Sequence, residues 1–340
     1  MKRKRGSALN SFERLFSRLD GKPVDRPPNL NLLMSFAARY ANVPYSKFCL
    51  DSESMVEANI LCHEDFGIDA VTTMSDPYAE VEDYGAIIEY PHNSNPVSRV
   101  PFLKDYSDIQ KLKARDIGES KRMLNRIRTI EIYKSRVKGQ CPIIGLVAGA
   151  LVQTVCLRGM QQALTDLIEE PGFIAEVLEI CTTQALSFAK AQVMAGADII
   201  ALGEAPASLI GADIYKRIIL PCEKKIVDEV HKHGGKVKLH ICGNTRSIFD
   251  DMLITGADII DIEWVVDYQK AIQTSNGKVS INGNIDPVGI MLRGTETDVA
   301  KAVTKCLECG DNKNMISASC EIPVDTNPIN IKAFAEAIKK

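Results

Sequence analysis

Eight short aliphatic runs recur along the chain, each followed by a longer stretch with helical spacing. This alternation limits the possible folds more than any other feature. The runs are NLNLLM from residue 29, IDAVTTM from 68, PIIGLVA from 142, ADIIALG from 197, KVKLHIC from 236, ADIIDIE from 257, KVSINGN from 278 and NMISAS from 314. Continuous apolar strands alternating with helices indicate a parallel sheet covered on both faces. The stretch 213–235, DIYKRIILPCEKKIVDEVHKHGG, illustrates the connections, with apolar residues at helical spacing and Gly234-Gly235 as a stop. Eight strands predict closure into a (β/α)8 TIM barrel. An open, doubly wound sheet is the alternative. It needs a glycine-rich phosphate turn after an early strand, and no G-x-G-x-x-G occurs.

An α/β barrel uses a length of 340 residues as one domain. A single domain over 1–340 is therefore expected, with residues 1–10 as a flexible tail. The stretch from about 76 to 140 is longer than one crossover needs. Within it, EDYGAIIEYPHNSNPVSRVP reads as an inserted β-ribbon near residues 76–105, on the catalytic side of the barrel.

The formal net charge is -3, so nothing calls for nucleic acid or an anionic membrane as partner. The basic start MKRKRG is followed by SALNSFERLFSRLDG, which lacks the apolar core of a signal peptide. No stretch approaches the roughly 20 apolar residues that span a bilayer. A soluble, cytoplasmic protein is expected. Its ten cysteines are scattered, as small buried hydrophobes are in cytosolic chains, and spacing must single out any ligands among them.

Barrel enzymes place their active sites at the C-terminal ends of the strands. Those ends carry Asp76, Glu204, His240 with Cys242, Glu263, Asn284 with Asp286, and Cys320. A lone strand-end histidine is more often a hydrogen-bonded structural residue than a ligand. His240 and Cys242 together differ, because residues i and i+2 of a strand project to one side. An imidazole and a thiolate directed jointly into the barrel mouth match the ligand preference of zinc. Cys320 in SASCEIP, at the end of the last strand, is the best third donor. Three protein ligands leave a fourth position open, as in catalytic zinc sites. Glu263, ending the strand next to that of His240, could fill it until a substrate arrives. The competing pair is Cys306 and Cys309 in CLEC. It lies in a helical segment ending at Gly310, with no second C-x-x-C, so Cys309 reads as the helix end and Cys306 as part of a packed face.

These residues also carry a family resemblance. SFERLFSRLDGKPVDRPP, FAARY, FGIDAVTTMSDPYAEVEDYGA, GLVAGALVQ, GADIIALGEAPAS, LHICGN, INGNIDP and SCEIPVDTNPINIKAF follow one another in the order of the uroporphyrinogen decarboxylase superfamily, which the chain resembles over nearly its whole length. The resemblance implies a (β/α)8 barrel and one of two chemistries. The metal-free decarboxylases carry an arginine-rich RQAGRY-like segment and a C-terminal Gly-His-Gly. Here SFAARY keeps only Arg39 and Tyr40, and SCEIP stands in place of Gly-His-Gly. The other branch is similar to the methylcobamide:coenzyme M methyltransferases, whose His-x-Cys pair and distant cysteine match His240, Cys242 and Cys320, with Glu263 where an exchangeable fourth ligand can stand.

What the resemblance implies is a methyltransferase with one zinc per chain and Glu263 and Asp76 as catalytic residues. Arg39, Glu204 and Asn284 would bind the cofactor. Asp76 and Glu204 should line the mouth, with Arg39 and the insertion on its rim. The methylcobamide would come on a partner corrinoid protein. The acceptor would be a small thiol such as coenzyme M, with a pterin nitrogen as the other candidate. A homo-oligomer is an allowed assembly. Two alternatives stand beside this reading. One is a porphyrinogen decarboxylase in which Asp76 holds pyrrole N–H groups and Arg39 carboxylates. The other is a non-catalytic barrel with Cys242 and Cys320 merely buried. Metal content separates the first reading from both.

Overall fold

The computed structural model describes residues 9–310 and 313–339. Most of the expected N-terminal tail, residues 1–8, lies outside the described residues. Seven strands form: β1 (Val71–Thr72), β2 (Ile143–Ala148), β3 (Ile199–Gly203), β4 (Lys236–His240), β5 (Ile259–Asp261), β6 (Ser280–Ile285) and β7 (Met315–Ala318). They make one parallel sheet whose spatial order is the order of the chain. That order excludes the doubly wound alternative, in which strand order reverses partway across the sheet. Helices connect successive strands, the longest being Pro171–Ala195 between β2 and β3.

Seven of the eight aliphatic runs become strands; the first does not. Asn29 makes a single parallel bridge to Ile316 of β7, and its carbonyl accepts from the Asp69 amide just before β1. The segment therefore lies between β7 and the approach to β1. Side chains replace part of the ladder there. Asn31 Oδ1 accepts from the Ala318 amide at 2.7 Å, and Asn29 Oδ1 accepts from Asn31 Nδ2 at 2.8 Å. Asparagine competes with backbone pairing in this way, which explains why an apolar, strand-like run remains irregular.

Apolar side chains fill both faces of the sheet. On one face Ala70, Ile144, Ile199, Ala201, Ile259 and Met315 pack with Leu15 and Leu30. On the other, a larger cluster joins the strands to the helices. The helix Ser11–Leu19 starts with a capping box between Asn10 and Glu13, two orphan amides satisfied reciprocally. It lies against the residues that precede strands. Its Phe12 amide donates to Gln140, Arg18 to the Asn314 carbonyl, and the buried Arg14 pairs with Asp69 at 2.7 Å. This helix thus covers the N-terminal strand ends and leaves the C-terminal ends for chemistry.

The expected ribbon near residues 76–105 is not observed. The stretch contains the short helix Ala79–Asp83 and one antiparallel pair, Glu89 with Val97. Pro91, Pro96 and Pro101 each lack an amide donor, which keeps the pairing from extending. Among the described residues no helix is long and apolar enough to cross a membrane.

Glu204, directly after β3, is fully buried. Its Oε1 accepts from the Val152 amide at 2.8 Å, so the carboxyl caps the start of the helix Ala150–Arg158. Gly149 makes room for it, because a β-carbon there would sit 1.8 Å from Glu204 Oε2. Gly149→Ala should therefore destabilise the fold by about 1–3 kcal/mol through overpacking. The cost should shrink in a Glu204→Ser background. Urea unfolding of the single and double variants measures both, and an equal cost in the two backgrounds would contradict the proposed clash.

Candidate metal centre

The C-terminal end of β4 sets out alternating polar side chains. Lys238, His240 and Cys242 stand at i, i+2 and i+4, so they share a face as the backbone leaves the sheet. The chain turns at Gly243, whose φ of +93° suits a glycine, and an added β-carbon there would also approach Ser208 Oγ to 2.9 Å. Cys320 comes from two residues beyond β7, across the opening.

Three donor atoms meet there. His240 Nε2 lies 2.9 Å from Cys242 Sγ and 3.8 Å from Cys320 Sγ, and the two sulfurs are 3.7 Å apart. Tetrahedral bonds of about 2.3 Å to sulfur would put two sulfurs about 3.8 Å apart and a nitrogen about 3.6 Å from each. The sulfur–sulfur and His240–Cys320 spacings match this, and the His240–Cys242 contact is the shorter one. All three side chains are largely withdrawn from solvent, and both cysteines are free thiols. The donor set and its spacing fit a zinc ion.

The electrostatics favour ligand chemistry. Burial alone would lower the His240 pKa, but hydrogen bonds to Asp261 and then Cys320 raise it to about 9. The Cys242 hydrogen bond, together with His240, holds the Cys320 thiol at about 4. The same sulfur–sulfur contact, with burial, pushes Cys242 up.

Glu263 lies two residues beyond β5, beside the trio and not among its converging atoms. Its Oε2 accepts from Ser319 Oγ at 2.8 Å, next to Cys320 in sequence. Burial raises its pKa, opposed by the Ser319 hydrogen bond. The neighbouring Glu321 is held by Ser35, whose amide donates to Oε1 at 2.9 Å.

The other residues named from sequence go elsewhere. Asp76 is buried between two arginines, Arg122 at 2.9 Å and Arg126 at 2.8 Å, both on the helix Lys121–Val137. Burial would raise its pKa, but Arg126 and then Arg122 hold it below the usual carboxylate range. Glu204 is the sealed helix cap already described. Arg39 is exposed and pairs with Asp325. It lines a cavity of about 450 Å³ together with His92 and Asn93 of the inserted segment, and that cavity's lining includes none of His240, Cys242 and Cys320. Asn284 donates to the Val266 carbonyl at 2.6 Å, and Asp286 accepts from the Val288 and Gly289 amides. Asn284 lines a separate cavity of about 590 Å³ with Trp264, Cys306 and Cys309. Cys306 is buried on its helix, and Cys309 bonds the Lys305 carbonyl at the helix end, so CLEC is part of a helix terminus.

Sequence reading missed Asp261, whose Oδ2 lies 2.8 Å from His240 Nδ1. It also missed Lys238, which pairs with Asp261, and Asn282, which donates to it at 2.8 Å. The signal was present, since Lys238 and Asp261 break apolar strands at the same two-residue period as His240 and Glu263.

A family model described as uroporphyrinogen decarboxylase (URO-D) matches residues 10–340. The methylcobamide:CoM methyltransferase MtbA of Methanosarcina acetivorans is 30% identical over 333 residues, 96% of this chain and 97% of that protein. A uroporphyrinogen decarboxylase of Chlorobaculum parvum is 25% identical, over 91% of this chain and 90% of that one. A solved methyltransferase from Methanosarcina mazei superimposes with a TM-score of 0.89 at 22% identity, covering 97% of this chain and 98% of that one, and so shares its fold.

Asp76→Asn leaves two buried guanidinium groups short of their shared carboxylate and should cost about 3–5 kcal/mol. Asp76 has a folded-state pKa below its unfolded value of about 4, so its stabilisation is present above that pH and lost as the pH falls. The stability gap between wild type and variant should therefore narrow below about pH 4. Urea titrations at several pH values test this, and a gap independent of pH would contradict it.

Proposed function

The chain belongs to the uroporphyrinogen decarboxylase family, and from that premise we propose that it is a zinc-dependent methyltransferase. In this reading it moves a methyl group from a methylated corrinoid, carried by a partner protein, to a small thiol such as coenzyme M. The supporting observation is the convergence of His240, Cys242 and Cys320 within 4.8 Å of one another at one strand-end opening. The same reading takes the seven-stranded sheet and the segment 29–33 as a closed (β/α)8 barrel forming one domain, with this opening as its mouth.

One zinc ion held by His240, Cys242 and Cys320 would supply Lewis acidity that keeps a bound substrate thiol as thiolate at neutral pH. The chain's own groups do the rest. Two cysteine thiolates offset the charge of a divalent ion and leave room for one more donor. Glu263, held by the Ser319 hydroxyl at 2.8 Å, would be the exchangeable donor in this reading. Arg39 and His92 line one cavity together and would offer polar contacts for the acceptor or for the corrinoid partner. That the relative at 30% identity is named for methyl transfer from a methylcobamide supports the same assignment.

Porphyrinogen decarboxylation is the competing reading, and the pairing of Asp76 weighs against it. A carboxylate committed to Arg122 and Arg126 is poorly placed to receive pyrrole N–H groups.

Purified protein should contain about one zinc per chain, and Cys242→Ala or Cys320→Ala should lose most of it. Elemental analysis measures this, and metal-free wild-type protein would defeat the proposal. Glu263→Gln should retain zinc while changing how readily an added thiol reaches the metal. Zinc assay beside thiol titration tests this, and zinc loss equal to that of Cys242→Ala would make Glu263 a structural ligand. Incubation with methylcobalamin and a panel of thiols should give zinc-dependent demethylation, followed by the corrinoid spectrum. An intact methylcobalamin with every acceptor, beside carbon dioxide release from a porphyrinogen, would point to the decarboxylase instead.

A further inference from the structure

Beneath His240 lies a buried polar group that the proposed reaction does not itself require. Three adjacent strands bring His240, Asp261 and Asn282 into register, at one level of the sheet. Lys238 stands one inward-facing position below His240 and beside Ala201, which belongs to the apolar cluster on that face. Asp261 is held from three sides. Asn282 Nδ2 donates to its Oδ1 at 2.8 Å, Lys238 Nζ pairs with its Oδ2, and His240 Nδ1 lies 2.8 Å from the same Oδ2. All four residues are buried.

We infer that Asp261, clamped by Lys238 and Asn282, is the positioning residue that turns His240 Nε2 toward the metal. The inference rests on the zinc-site reading above. A carboxylate only accepts hydrogen bonds, so an Asp261 oxygen at Nδ1 places the ring proton there. Nε2 is then left with its lone pair, and Nε2 is the atom within 2.9 Å and 3.8 Å of the two sulfurs. Ligand histidines elsewhere are oriented by such a carboxylate, and loss of that partner weakens metal binding about 10- to 100-fold.

Lys238 and Asn282 do a separate job. Asp261 sits deep enough that an unpaired carboxylate would be strongly disfavoured, and it could also swing toward a cation. The lysine supplies the counter-charge, and the asparagine fixes the plane of the carboxylate. Asp261 is thereby kept as the acceptor of His240 and out of the ligand set. The arrangement also balances charge. Two thiolates offset a divalent ion, Lys238 offsets Asp261, and the exchangeable donor alone adds net negative charge.

The test compares wild type, Asp261→Asn, Asp261→Glu, Lys238→Met and Lys238→Arg. Zinc dissociation constants come from competition with a chromophoric chelator, and cobalt(II)-loaded protein reports ligand geometry by its visible absorption. Asp261→Asn replaces the charged acceptor of Nδ1 by a neutral amide oxygen, which no longer raises the basicity of Nε2 as a ligand. It should bind zinc about 10- to 100-fold more weakly, with altered cobalt bands and retained sulfur-to-cobalt charge transfer. Asp261→Glu and Lys238→Arg should recover part of the affinity, and Lys238→Met should lose affinity while keeping its fold by circular dichroism. Because Asp261→Asn strands a buried lysine, Lys238→Met/Asp261→Asn serves as a second variant and should show the same weakening. Wild-type affinity and unchanged cobalt bands in Asp261→Asn or in the double variant would overturn this inference alone. Wild-type protein that takes up neither zinc nor cobalt would overturn it together with the zinc-site reading.

Discussion

The parallel ladder in chain order is the constraint on which the rest of the molecule depends. Every strand starts at one end of the sheet and finishes at the other, so the chain delivers its connections to two chemically separate ends. At the starting end Asp69 gathers Arg14, Arg26 and the Asn29 amide, and the helix Ser11–Leu19 covers the apolar inner face. That end is built for closure. At the finishing end the register sets His240 beside Asp261 and Asp261 beside Asn282, and brings Cys320 across to Cys242.

Several buried charges lie at or beyond strand ends, and their energetics differ from site to site. Asp76 with Arg122 and Arg126 ties a helix to the end of β1. Glu204 does similar work without a counter-ion, using helix amides, which is why burial keeps its pKa well above the usual range. Lys238 with Asp261 is different. A buried ion pair adds little net stability, because desolvation offsets the attraction. Its position under a histidine, between two cysteine-bearing strand ends, gives it a use that stability alone does not provide.

Some of this was legible in the sequence, and the reasons are specific. The seven strands were visible because both faces of a parallel sheet are buried, which leaves uninterrupted aliphatic runs. The first run misled because Asn29 and Asn31 hydrogen-bond through their side chains and satisfy neighbouring amides without a full strand. The ribbon near 76–105 was read from a stretch longer than one crossover needs, but three prolines confine pairing to Glu89 and Val97. Glu204 and Asn284 stand at the ends of β3 and β6, whereas Asp76 lies four residues beyond Thr72, the last residue of β1. What each side chain touches there depends on Arg122 and Arg126, on the helix Ala150–Arg158 and on Val266, partners that lie in separate segments of the chain.

The sequence by itself determined the layering, the end of the sheet where chemistry can sit, and the pairing of His240 with Cys242. Each follows from local periodicity, because a strand's two-residue repeat fixes which side chains share a face. Only the tertiary structure decided that Cys320, 78 residues from Cys242, comes within 3.7 Å of it, and that Asp261 rather than Glu263 reaches His240. Those contacts depend on the stagger between neighbouring strands and on the curl that brings β7 opposite β4. Both are set by the packing of many side chains at once, and no short stretch of sequence records them.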